Sequence, residues 1–144
     1  MNWFITDTPA IITPTLSGSV LEGEKISLQV VIDDPDGLGA YTLQWQSQKK
    51  GTDDWVNIAG ETGNTLALTQ SLVGTYIRAT IVHVDSLGYK RSATSGQSEM
   101  ISNVNDLPTG DLVITGTAEM GEVLTVDVTQ IADKDGLGEF LYQW

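Results

Sequence analysis

The sequence predicts an all-β fold: a β-sandwich of about seven short strands, followed by a truncated second copy of the same unit. Three observations predict it. Apolar residues alternate with period two, Gly and Asp-Gly pairs punctuate the alternating runs, and a stretch of the chain recurs about 98 residues later. The first strand is expected over 10–17, after Pro9 and up to Gly18. The second, over 24–33, sets Ile26, Leu28, Val30 and Ile32 against Ser27 and Gln29. The third, over 40–48, sets Tyr41, Leu43 and Trp45 against Thr42 and Gln44. A charged hairpin tip, 49–54, leads into the fourth strand over 54–58, with Trp55, Val56 and Ile58. The fifth, over 64–69, follows Gly60 and Gly63. The sixth and longest, over 74–85, alternates Ile77, Ala79 and Ile81 with Arg78 and Thr80. The seventh, over 89–104, is interrupted near Gly96. No stretch shows convincing helical periodicity, and that many short strands in about 99 residues make a sandwich.

Composition narrows the function. The 144 residues are 40% hydrophobic, which suits a folded domain, and contain no cysteine. Disulfides, thiol nucleophiles and cysteine-based metal sites are therefore excluded. No apolar run approaches the ~20 residues that span a bilayer, so no membrane insertion is expected. The formal net charge of −12 disfavours nucleic acid and anionic lipid, and favours a solvated surface, cation binding, or both. An enzyme is hard to build from this inventory. His83 is the sole histidine, it sits in the apolar run Ile81–Val84, and no nucleophile elbow accompanies it. It reads as a structural or exposed side chain.

The repeat organises the chain. Leu16-Ser17-Gly18-Ser19-Val20-Leu21-Glu22-Gly23-Glu24 aligns with Ile114-Thr115-Gly116-Thr117-Ala118-Glu119-Met120-Gly121-Glu122 at an offset of 98. Asp34-Pro35-Asp36-Gly37-Leu38-Gly39 aligns with Asp133-Lys134-Asp135-Gly136-Leu137-Gly138 at 99, as does Gln44-Trp45 with Gln143-Trp144. One residue has been gained between the two blocks. The period suits a small domain strung in tandem. Residues 1–8 are thus expected to be the tail of a preceding copy, 9–107 a full sandwich, and 108–144 the opening part of the next. Trp3 and Phe4 belong to that preceding copy or pack on the linker. The opening part has no partner sheet for Val113, Leu124, Val126, Leu137, Phe140 and Trp144. It is expected to be disordered, docked on the first copy, or completed in a strand-exchanged homodimer through 108–144.

The repeated Asp-x-Asp-Gly turns are the candidate site. Ca²⁺ takes six to eight oxygens on a backbone free to curl, and two carboxylates two residues apart before a glycine provide that. The loop after the second strand and the linker before the first strand can share one end of a sandwich. Asp133 and Asp135 would then meet Asn105 and Asp106, and Asp34 and Asp36 would meet Asp7, with Asp85 completing the upstream group. The same pattern is equally a plain turn, since Asp side chains bond nearby amides and glycine adopts positive φ. An EF-hand is excluded, because Ile32 and Leu43 would fall at its first and twelfth positions. Glu22, Glu24, Glu119 and Glu122 read as solvated turn residues.

Several fragments in order resemble a bacterial immunoglobulin-like repeat: Leu43-Gln44-Trp45, Trp55-Val56-Asn57-Ile58-Ala59-Gly60, Leu66-Ala67-Leu68-Thr69, Val73-Gly74-Thr75-Tyr76-Ile77-Arg78 and Asn103-Val104-Asn105-Asp106-Leu107-Pro108. The resemblance covers essentially the whole chain. It implies an immunoglobulin-like Greek-key sandwich, with Trp45 buried between the sheets and Arg78 where a disulfide cysteine would otherwise stand. Such repeats are strung through large secreted adhesins and calcium-dependent, hemolysin-like surface proteins. The implied role is a non-enzymatic extracellular stalk module on a bacterial cell surface, whose partners are neighbouring repeats of the same polypeptide. A second likeness is to cadherin repeats, whose linkers bind Ca²⁺. Here Asn103 stands for an acidic residue, Leu107 for the second Asn, and no acidic cluster occupies 69–71, so the full three-ion set is not expected. The alternative function is a carbohydrate- or ligand-binding sandwich that uses Trp55 or Tyr41 as a stacking platform.

Overall fold

The computed structural model describes residues 6–144, so the expectation for Trp3 and Phe4 lies outside the described residues. The chain divides into two compact units, the first ending at Val104 and the second running Asn105–Trp144. Seven strands form the first: β1 (Ile11–Gly18), β2 (Lys25–Asp33), β3 (Ala40–Lys49), β4 (Val56–Asn57), β5 (Thr65–Ala67), β6 (Thr75–Val84) and β7 (Lys90–Thr94). They pair antiparallel in two sheets, ordered β1-β2-β5 and β4-β3-β6-β7. Among the described residues the helical content is one 3-10 turn, Gln70–Leu72. The protein is all-β, with the sheets arranged as a β-sandwich.

The core lies where the two alternating faces meet. Ile26, Leu28 and Leu66 come from one sheet, and Leu43, Trp45, Ile77, Ala79 and Ile81 from the other. Leu68, Leu72 and Ile101 add to the same cluster. Trp45 is fully buried, and its Nε1 donates to the Gly63 carbonyl at 2.7 Å, so the polar end of the ring is satisfied inside the core. Burying such a ring removes on the order of 200 Å² from water and contributes a few kcal/mol. With no cysteine to close the sandwich, packing alone holds it.

Six strands begin and end within two residues of the positions read from alternation. The seventh stops at Thr94 instead of 104, and the cause is local. Ser95 N donates to Ala79 O at 2.9 Å and Ser98 N to Ile77 O at 2.8 Å. Three residues of this segment therefore pass along two of β6, as in a bulge. The Ser95 and Ser98 hydroxyls accept from the Ala79 and Ile77 amides at 2.9 and 3.0 Å, so those donors stay satisfied. Beyond the bulge, Ser102 pairs in parallel with Leu21, which ties the end of the unit to the turn after β1.

The second unit repeats the first hairpin. Its strands β8 (Val113–Thr115) and β9 (Thr125–Asp127) pair Val113↔Asp127, Ile114↔Val126 and Thr115↔Thr125. Each pair is the β1–β2 pairing Thr15↔Gln29, Leu16↔Leu28 or Ser17↔Ser27 moved on by 98 residues. The connecting turns match: Glu24 N reaches Leu21 O at 3.2 Å, and Glu122 N reaches Glu119 O at 3.1 Å. Gly18 and Gly116 have φ of 120° and 116°, and a Cβ at either would lie 2.6 or 2.4 Å from a backbone carbonyl across the hairpin. Only glycine fits both requirements. The gained residue can also be located. Ile11 pairs with Asp33, and Thr109 pairs with Ala132, so five steps separate Asp127 from Ala132 where four separate Gln29 from Asp33. The extra step is a turn in which Ile131 N bonds Val128 O, fixed by Asp127 Oδ1 accepting from the Thr129 amide and hydroxyl.

Candidate cation-binding carboxylate clusters

The buried stripes of both sheets run out into polar residues at one end of the first unit. On β6 the inward positions Ile77, Ala79 and Ile81 continue to His83 and then Asp85, both buried. On β2 the inward positions Ile26 and Leu28 continue through Val30 and Ile32 to Asp34. His83 Nε2 meets Asp34 Oδ2 at 3.0 Å, with the two side chains 0% and 1% exposed. The carboxylate accepts from Nε2, while Nδ1 is buried with no partner among the described residues. Strand parity holds the histidine on the core face.

Asp34 also organises the turn after β2. Its Oδ1 accepts from Asp36 N at 3.0 Å, and Gly37 N bonds Asp34 O at 3.2 Å. Both Asp34 oxygens are therefore engaged by protein donors, which makes it a poor cation ligand among the candidates. Asp36 faces outward: its Oδ2 accepts from the Thr8 amide, while Ser86 Oγ donates to the Asp36 carbonyl at 2.6 Å. Asp85 Oδ1 shapes the next turn by accepting from the Leu87 and Tyr89 amides, each at 2.8 Å. Asp7 arrives from the chain before β1, pairs with Arg91 Nη2 and is 16% exposed at its side chain.

Charge is crowded here. Burial pushes the Asp7 carboxyl above its ordinary 3.8; Arg91 pulls it down, and Asp85, within hydrogen-bonding reach, and Asp36 push it up again. The donors gathered at this end are carboxylate oxygens, the hard ligands that Ca²⁺ or Mg²⁺ accept. Asp7, Asp36 and Asp85 each have a carboxylate oxygen beyond those used in the bonds above, whereas both oxygens of Asp34 are engaged.

The second unit carries the corresponding arrangement. Asp135 N donates to Asp133 Oδ1 at 2.9 Å, and Gly136 N bonds Asp133 O at 3.1 Å, as in the turn at Asp34. Asp106 N donates to Asp135 Oδ2 at 2.7 Å, so the linker meets the turn as Thr8 meets Asp36. Lys134 Nζ reaches Asp106 Oδ1 at 3.1 Å, an ion pair at the place where Arg91 pairs with Asp7. The Asn105 side chain donates to the Asp106 carbonyl at 3.0 Å. Within the described residues, Asp34, Asp36 and Asp85 therefore gather in one unit, and Asn105, Asp106, Asp133 and Asp135 in the other.

Reading the sequence missed Arg91, Ser86 and the His83–Asp34 pair. The pair had a signal: 77, 79, 81, 83 and 85 share one parity on β6, as 26, 28, 30, 32 and 34 do along β2. Arg91 had none, because its partner lies 84 positions away. Of the other candidates, Glu24, Glu119 and Glu122 are exposed, while Glu22 Oε2 accepts from Val104 N at 3.3 Å. Trp55 carries the Arg78 guanidinium 4.2 Å over its ring, and Gln46 fixes that arginine at 2.8 Å. The Tyr41 hydroxyl bonds the Asn64 side chain. No helix among the described residues is long and apolar enough to cross a membrane. No family model matches the chain, and no curated protein sequence matches it.

Proposed function

We propose that this chain is a non-enzymatic structural module, an immunoglobulin-like repeat from the extracellular stalk of a large bacterial surface adhesin. One observation carries the reading: a repeating unit that the chain enters at one end and leaves at the other. Thr8 binds Asp36 beside the start of β1, whereas Ser102 pairs with Leu21 beyond its end. The eight residues of β1 separate the two points by roughly 27 Å at the rise of an extended strand. A unit threaded that way adds length when copied head to tail, which is the property a spacer needs.

Calcium is the second part of the proposal. Asp7, Asp36 and Asp85 would hold one ion in the first unit; in the second, Asp106 and Asp135 stand where Asp7 and Asp36 do, with Asp133 beside them in the place of Asp34. Binding would relieve the crowding at Asp7 and fasten the linker to the turn after β2. Two measurements test this. Pulling the chain by its ends should unfold the first unit in a single step, and calcium should raise the unfolding force. Calorimetric titration should show calcium binding that falls at least tenfold in Asp36→Asn. Gradual extension without a step would defeat the spacer role, and heats indistinguishable from dilution would defeat the calcium role.

A further inference from the structure

Inside the first unit, β3 outruns its short neighbour β4, and residues 58–64 cross from one sheet to the other beside it. Trp45 N bonds Glu61 O at 3.1 Å and Trp45 O accepts from Ile58 N at 2.9 Å, so odd positions of β3 direct their backbone groups away from β6. Past the crossing, Tyr41 and Leu43 direct theirs the same way, and among the described residues nothing bonds them. The β3–β6 register runs unbroken from Ala40 to Lys49, so no bulge turns this edge aside. A cavity of about 480 Å³ lies along it, lined by Tyr41, Thr42, Leu43, Thr62 and Asn64. By the same alternation Val30 and Ile32 of β2 lie open past Leu28, whose N bonds Asn64 O at 2.7 Å; the cavity selects β3. Elsewhere the unit blunts its free edges. β1 carries Pro14, β7 begins with Lys90 and Arg91, and β4 and β5 are two and three residues long.

We infer that the β3 edge at Tyr41–Leu43 docks an extended, positively charged polypeptide segment of another protein, which adds a strand in the line that β4 begins. Two backbone N–H and two C=O groups, repeated every second residue, match an incoming strand and not a compact ligand. Charge selects the kind of segment. Tyr41, Thr42 and Leu43 are uncharged, Glu61 stands beside one end of the edge, and Asp36 and Asp85 lie beyond the other. A second copy of this chain, at −12, would be repelled. A Lys or Arg side chain entering the cavity would lay its stem on the Tyr41 ring and Leu43 and bring its head to the oxygens of Thr62 and Asn64.

The test titrates the full chain with the peptide Lys-Val-Lys-Val-Lys-Val-Lys and follows backbone amides by NMR. The Tyr41 and Leu43 amides should shift and gain protection from exchange. A twin with Glu in place of every Lys, and a fully N-methylated form of the Lys peptide, should each bind at least tenfold more weakly. Tyr41→Pro removes the outward N–H but leaves the β3–β6 ladder its donors, and it should weaken binding at least tenfold. Tyr41→Ala keeps that N–H and should weaken binding less. The peptide comparisons decide the matter on the unaltered chain if the proline variant does not fold. No binding, equal binding of the Glu twin or the N-methylated form, or equal loss in the two Tyr41 variants would overturn the inference. So would self-association of the chain through β3 without probe, or cellohexaose shifting the same amides where the Lys peptide does not.

Discussion

The two hairpins of this protein are the same structure in different surroundings. β1–β2 and β8–β9 share register, turn hydrogen bonds and the left-handed glycine at the strand end. Yet Trp45 has no exposed surface, and Trp144, at the matching place in the repeat, is three-quarters exposed. The local geometry is therefore set by residues within the hairpin: the glycine beneath a carbonyl and the Asp-capped turn. Burial is set by residues 46–104, which are distant in sequence. A repeat's shape and its stability come from separate parts of the chain.

Substitutions at matched positions measure that separation. Trp45→Ala should cost the first unit about 3–5 kcal/mol in urea unfolding followed by circular dichroism. Trp144→Ala should change the same curve by less than about 0.5 kcal/mol. Equal effects would mean the second unit has a core of its own.

Asp34→Ala strands the buried His83 without its acceptor and should cost about 1–3 kcal/mol. Asp133→Ala, at the same place in the second turn, should stay within about 0.5 kcal/mol. Gly39 and Gly138 make a third matched pair. A Cβ at Gly39 would lie 1.7 Å from the Val84 carbonyl, and one at Gly138 would meet nothing within 4 Å. Gly39→Ala should lower the melting temperature of the first unit by several degrees, corresponding to about 1–3 kcal/mol, and Gly138→Ala should leave it in place.

The smallest expected effect is in pH, and the two units should differ in its sign. The Asp7 carboxyl is raised in the folded state, so its folded form binds a proton more readily than the unfolded chain does. Its contribution is favourable below about 4 and is lost as pH rises through the folded value. Asp127 is lowered by the Thr129 hydroxyl and amide, so its contribution is present above 3.8 and lost as pH falls through its folded value. Asp7→Asn should flatten the pH dependence of the first unit's melting temperature above about pH 4. Asp127→Asn should flatten the acid loss of β8–β9 pairing seen by NMR below about pH 4. An unchanged pH profile in Asp7→Asn would show that the carboxylates at that end do not interact.

Much of this was legible in the sequence because it is periodic. Alternation located six strands, and the 98-residue offset paired Gly18 with Gly116 before any geometry was known. The turn at Asp34-Pro35-Asp36-Gly37 was readable as a carboxylate-bearing loop, since Asp and glycine there have local causes. The rest depends on chain segments that meet only after folding. The early end of β7 follows from Ser95 and Ser98 hydroxyls competing for β6 amides, and hydroxyls leave no periodic trace. The Arg91–Asp7 ion pair joins the segment before the first strand to the last. The spending of Asp34 on His83 was hidden because an Asp in a turn looks the same whether it faces solvent or the end of a core stripe.

The most direct test of the account is amide hydrogen exchange resolved by residue on the intact chain. The prediction is strong protection at Ile26 and Leu28, and exchange at least a thousandfold faster at Leu124 and Val126, with cross-strand contacts of equal register at Ser17–Ser27 and Thr115–Thr125. Equal protection in both hairpins, or a different register in the second, would contradict the claim that one repeat appears here twice and is covered once.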